Sequence, residues 1–92
     1  LKSIVQKNKE CFVCKSDINL HEHHIFFGMA NRKLSEKYGL KVWLCGRHHN
    51  LSNEGIHFNS ELDRYVKRIG QQAFEKTHTR QEFMQIFGKS YL

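Results

Sequence analysis

Hydrophobic spacing along the 92-residue chain changes period several times, and each change predicts an element. After Leu1, residues 2–10 are polar apart from Ile4 and Val5, which predicts for residues 1–10 an approach segment whose Ile4 and Val5 side chains tuck against the body. From Asn19 to Phe27 the order Leu20, His21, Glu22, His23, His24, Ile25, Phe26, Phe27 suits a strand with alternate side chains on opposite faces. His23 and His24 then point apart, unless the strand ends or bulges there. Gly28-Met29-Ala30 breaks the run. Asn31 to Gly39 predicts a short helix with Asn31 as N-cap, Leu34 and Tyr38 on one face and Gly39 at the stop. Leu40 to Leu44 alternates as a second strand, with Val42 and Leu44 on one face and Lys41 and Trp43 on the other. It delivers Cys45, after which a short helix is expected, and Asn53 to His57 leads the chain out of it.

The last third is helical in pattern. Ser60 is placed to cap, Glu61 and Asp63 suit the positive end of a helix, and Leu62, Val66, Ile69 and Ala73 recur at four, three and four. Thr79-Arg80-Gln81-Glu82 has the form of a capping box opening a final helix, with Phe83, Ile86 and Phe87 as its apolar face and Gly88 as its end. No repeat, low-complexity tract or linker divides the chain, so residues 1–92 read as a single α+β domain.

Composition sharpens this picture in two ways. A domain this short buries only about 60% of the surface that its unfolded chain exposes, so an extra staple is expected. Three cysteines cannot all pair within one chain, and two of them form Cys11-x2-Cys14, which favours a metal over a disulfide framework and points to a reducing cytoplasm. With 15 Lys and Arg against 9 Asp and Glu the formal net charge is +6, a footprint suited to a polyanionic partner. No apolar stretch approaches the roughly 18 residues of a membrane span, and no signal-peptide pattern opens the chain.

Thirty-one residues after Cys14 stands Cys45-x2-His48, completing a Cys₃His set of two pairs, Cys11, Cys14, Cys45 and His48. Zn²⁺ takes four convergent thiolate and imidazole ligands of this kind, and free buried thiols do not account for two such pairs. His49 is an alternative fourth ligand, but the spacing of Cys45 and His48 matches that of the C-x2-C and leaves His49 free. Of the other histidines, His21 and His78 read as ordinary surface or core residues. His23, His24, His49 and His57 flank the knuckle, whose closure brings the His23-His24 strand beside His49.

With Cys11-x2-Cys14, Glu22-His23-His24-Ile25 and Leu44-Cys45-x2-His48-His49 in this order, the sequence resembles the HNH endonucleases, the ββα-metal nucleases, and among them small phage-type proteins with a zinc knuckle. The likeness covers residues 11–57. It implies a ββα-metal core with a structural zinc, to which residues 60–88 add a C-terminal helical cap, and it places His48 where such proteins usually carry a fourth cysteine. It further implies hydrolysis of DNA phosphodiester bonds in a bacterial or phage-infected cell, with His24 as general base and His23 and His49 as ligands of a catalytic divalent ion (Mg²⁺, Mn²⁺, Ni²⁺ or Zn²⁺). His57 lies eight residues beyond His49 and joins them as a ligand if the chain folds back at Gly55-Ile56-His57. The chain departs from the family at the central Asn, which holds the loop carrying the base. Leu40 occupies that place, and Asn31, Asn50 and Asn53 are the substitutes on offer.

Arg32, Lys33, Arg47, Arg64 and Lys67 are the expected phosphate contacts, which would position a nucleic acid without specifying its sequence. Small HNH domains often act beside another protein, so a partner that confers specificity belongs to the same expectation. Two other classes compete with a nuclease: a zinc-knuckle module that binds nucleic acid without cleaving it, and a protein-interaction module using Trp43, Phe83, Phe87 and Tyr91.

Overall fold

The computed structural model describes residues 3–50 and 52–92. Its elements run β1 (Leu20–His24), α1 (Met29–Tyr38), β2 (Lys41–Cys45), α2 (Gly46–His49), a 3₁₀ turn (Ile56–Phe58), α3 (Ser60–Phe74) and α4 (Arg80–Phe87). This is an α+β fold: β1 and β2 form a two-stranded antiparallel sheet with His21 opposite Leu44, His23 opposite Val42 and His24 opposite Lys41. Among the described residues no helix is long and apolar enough to cross a membrane.

The first strand is shorter than the pattern suggests. It stops at His24, because Ile25 and Phe26 are both fully buried, and a strand with one covered face cannot bury two successive side chains. The turn that results is held by hydrogen bonds: Ile25 N–H donates to the Leu40 carbonyl at 3.0 Å, and the Ser35 hydroxyl donates to the Phe26 carbonyl (2.7 Å) while accepting from the Phe26 N–H (3.0 Å). Ser35 is itself fully buried on α1, so these bonds satisfy backbone groups that water cannot reach. They also fix α1 against the end of β1.

Two caps differ from expectation. α1 starts at Met29 with Gly28 as N-cap and no side-chain cap, because the chain reverses at Gly28 before Asn31 is reached. At α3 the cap is Asn59, whose side chain accepts from Leu62 N–H at 3.1 Å, and Ser60 is the first helical residue. The α4 capping box has both halves, Thr79 Oγ1 accepting from Glu82 N–H and Glu82 Oε1 from Thr79 N–H.

The core is aromatic and joins the sheet end to the C-terminal helices. Phe26 packs with ring centroids 5.3 Å from Phe83 and 4.7 Å from Phe87, and Phe83 lies 5.5 Å from Phe74. Ile25 lies against Gly70, where an added Cβ would come within 3.2 Å of its side chain, so the glycine lets α3 approach closely. Phe83 and Phe87 are thereby buried and offer no surface to a partner. His78 stacks on Phe74 at 4.2 Å, a structural role. At the N-terminal end Val5 packs on the core, whereas Ile4 is half exposed because its segment is held by the backbone bond from Ile4 N–H to the Gly39 carbonyl.

Truncating Phe26 to alanine removes the ring on which the helices and the sheet end converge. The expected loss is about 3–5 kcal/mol, read as a lower urea midpoint with an unchanged slope.

Candidate metal centres

The first centre lies at the open end of the sheet. β2 delivers Cys45, which is also the N-cap position of α2, and one turn on His48 faces the same point. Cys11 and Cys14 come from a tight turn closed by the hydrogen bond from Cys11 N–H to the Ser16 carbonyl and tied to β2 by that from Phe12 N–H to the Trp43 carbonyl, both 2.8 Å. Ligand atoms of Cys11, Cys14, Cys45 and His48 all lie within 4.8 Å of one another, so the four could hold a metal ion. Cys14 Sγ is 3.7 Å from Cys45 Sγ, while His48 Nδ1 is 3.3 Å from Cys45 Sγ and 3.7 Å from Cys11 Sγ. A tetrahedral zinc with ordinary Zn–S and Zn–N lengths has S–S edges of about 3.8 Å and S–N edges of about 3.6 Å. These three separations are compatible with a structural metal such as zinc.

Burial works against a charge on Cys11, but backbone N–H groups of Cys45, Cys14 and Val13 and the Cys14 thiol hold its pKa down at about 6. Cys45 is shifted upward, chiefly by burial and then by the neighbouring thiols. Three thiols this close cannot all ionise without a cation among them. On the far side of His48, Nε2 lies 3.9 Å from Glu54, whose carboxylate is bound by Arg47 at 2.7 and 2.9 Å. Arg47 thus sits at the knuckle in an ion pair.

The second centre is made by His23, His49 and His57, whose ligand atoms also fall within 4.8 Å. His23 points inward from β1, His49 ends α2 and His57 lies in the 3₁₀ turn. His49 Nε2 and His57 Nε2 are 3.2 Å apart, against an N–N edge of about 3.3 Å expected for tetrahedral zinc. His23 Nε2 is buried and has no hydrogen-bond partner among the described residues. A buried polar atom left without a partner is costly, and a cation is one partner that the geometry admits. Burial lowers the His23 pKa to about 3, with His49 and His57 adding to the effect, and burial followed by His57 and His21 lowers that of His49 to about 4. Both rings are neutral near pH 7, the form that ligates metals.

The chain returns at Gly55, which brings His57 to His49. A Cβ at Gly55 would stand 2.7 Å from the His49 carbonyl oxygen, so only glycine permits this approach. Behind the centre, His21 Nδ1 lies 2.9 Å from His49 Nδ1. When His49 ligates through Nε2, its Nδ1–H donates to His21, which orients the ring from outside. His21 reads as an ordinary histidine in sequence, although its i, i+2 relation to His23 on one strand face was the available signal.

His24 points to the other face, as alternation requires, yet it lines the same cleft of about 220 Å³ as His23, His49 and His57, together with Glu22, Phe27 and Arg32. Its Nε2 is 2.9 Å from Glu36 Oε1, so the side chain beside the His24 ring is Glu36 and not Asn31, Asn50 or Asn53. Leu40 is a core residue. Of the basic residues, Arg32 borders the histidine cleft and Lys33 the adjoining depression. Lys67 pairs with Asp63 at 2.9 Å and lies 4.5 Å over the Phe27 ring. Arg64 lines a separate depression on α3 with Tyr65 and Arg68.

Loading with Co²⁺ should give thiolate-to-cobalt absorption that is lost in Cys45→Ser and kept in His49→Ala, each variant binding one ion fewer per chain. Equal metal content in His49→Ala and the parent would remove the histidine centre. Gly55→Ala should weaken the second ion by about tenfold or more while sparing the cobalt–thiolate band. Comparison with family models, with curated proteins and with solved structures finds no match to this chain.

Proposed function

We propose that the chain is a metal-dependent endonuclease of the HNH type that hydrolyses DNA phosphodiester bonds. The observation that carries this reading is the convergence of the unpartnered His23 Nε2 with His49 and His57 on a cleft that His24 also lines. The order of parts is compatible with it: β1 bears His23 and His24, α1 intervenes, and β2 leads into the one-turn helix α2 with His48 and His49, which in this reading make up a ββα-metal core with α1 inserted between its strands. Net charge of +6 and the position of Arg32 at the cleft favour a polyanion.

In this reading the two centres divide the work. The Cys₃His zinc is structural and replaces core that a 92-residue chain lacks. At the histidine centre a divalent cation, when bound, supplies positive charge to the scissile phosphate and to the departing 3′ oxygen. His24 then accepts a proton from the attacking water, and Arg32 holds a phosphate oxygen at the mouth of the cleft. Uncatalysed cleavage is so slow that neither the base nor the cation suffices alone.

Supercoiled plasmid incubated with Mg²⁺, Mn²⁺ or Ni²⁺ should be nicked. His24→Ala should lower the rate by about 10²–10⁴-fold with metal content and unfolding midpoint retained. Salt-dependent DNA binding without cleavage under any of the three ions would replace this reading with that of a binding module.

A further inference from the structure

Glu36 stands outside both metal centres, and its surroundings are unusual for a half-exposed carboxylate. Its Oε1 is 2.9 Å from His24 Nε2 and its Oε2 is 2.9 Å from Lys41 Nζ. Lys41 is almost wholly buried, stands opposite His24 across the sheet and also reaches Glu22 Oε1 at 3.3 Å. Glu22, His24 and Glu36 have the make-up of a cation site, but the Lys41 ammonium lies between the two carboxylates and takes that role. A buried ammonium needs such compensation, and Glu36 is held at one oxygen by supplying it. The Lys41 hydrogen bond, and after it that of His24, lowers the Glu36 pKa to about 2.

An ionised carboxylate only accepts hydrogen bonds. The proton in the 2.9 Å contact therefore belongs to His24, on Nε2. We infer that Glu36 is a positioning residue that fixes His24 as its Nε2–H tautomer and leaves Nδ1 as the basic nitrogen. The backbone supports this: Ser35, the residue before Glu36, is bonded at both Phe26 backbone groups, so the helix and the strand end bearing the two partners cannot drift apart. The assignment of His24 as the base rests on the nuclease reading; the tautomer does not.

The test uses the full chain, loaded with Zn²⁺ and labelled with ¹⁵N, with the His24 resonances identified by their absence in His24→Ala. Long-range ¹H–¹⁵N spectra at neutral pH should show the Nε2–H tautomer in the parent and in Glu36→Gln, which keeps an acceptor, and mixed tautomers in Glu36→Ala. In plasmid cleavage, Glu36→Ala should lose roughly 10- to 100-fold in kcat with little change in KM, and Glu36→Gln should recover part of it. An Nδ1–H tautomer in the parent, or an unchanged spectrum and kcat in Glu36→Ala, would overturn the inference and leave the nuclease reading standing. A parent that shows the Nε2–H tautomer but cuts no DNA would do the reverse.

Discussion

The double hydrogen bond between the Ser35 hydroxyl and the Phe26 backbone is the constraint from which the other placements follow. Where the chain leaves β1 it must bury Ile25 and Phe26 in succession, and this strands a backbone N–H and a carbonyl away from water. Each unsatisfied group would cost roughly 1–3 kcal/mol. Ser35 satisfies both with one side chain, and the Leu40 carbonyl satisfies the N–H of Ile25. Phe26 is thereby sent down among Phe83, Phe87 and Tyr91, while α1 is locked over the strand end with Glu36 beside His24.

Leu40 shows how one position can serve both a core and a site. In the family that the sequence resembles, the corresponding side chain is an Asn that holds the loop of the base. Here the Leu40 side chain is fully buried, and its backbone carbonyl accepts from the N–H of Ile25, the residue after His24. Glu36, four residues earlier, is the side chain that meets the His24 imidazole.

The two candidate centres are also unlike in physical character. The knuckle joins a turn near the N-terminus to the end of β2, and its thiols crowd so closely that a cation relieves their mutual opposition to ionising. The histidine centre is made of neutral rings around one desolvated nitrogen, with His21 behind it. A thiolate site of the first kind binds metal tightly enough to support folding. The second is placed in a cleft with Arg32 at its edge.

Much of this was legible in the residues alone. Periodicity placed both strands and the helices after Asn31, Cys45, Ser60 and Thr79, because alternation and three-to-four spacing are local consequences of backbone geometry. The Cys₃His set followed from spacing, since a C-x2-C turn presents both thiols to one point whatever surrounds it. Only tertiary structure decided the rest. That β1 ends at His24 depends on which side chains the C-terminal helices bury, and the position of Lys67 over the Phe27 ring depends on what α3 faces. The roles of His21, Glu36 and Lys41 come from contacts 28, 12 and 5 residues apart in the chain. No local pattern encodes such meetings, because they exist only once the sheet, α1 and α2 have closed on one another.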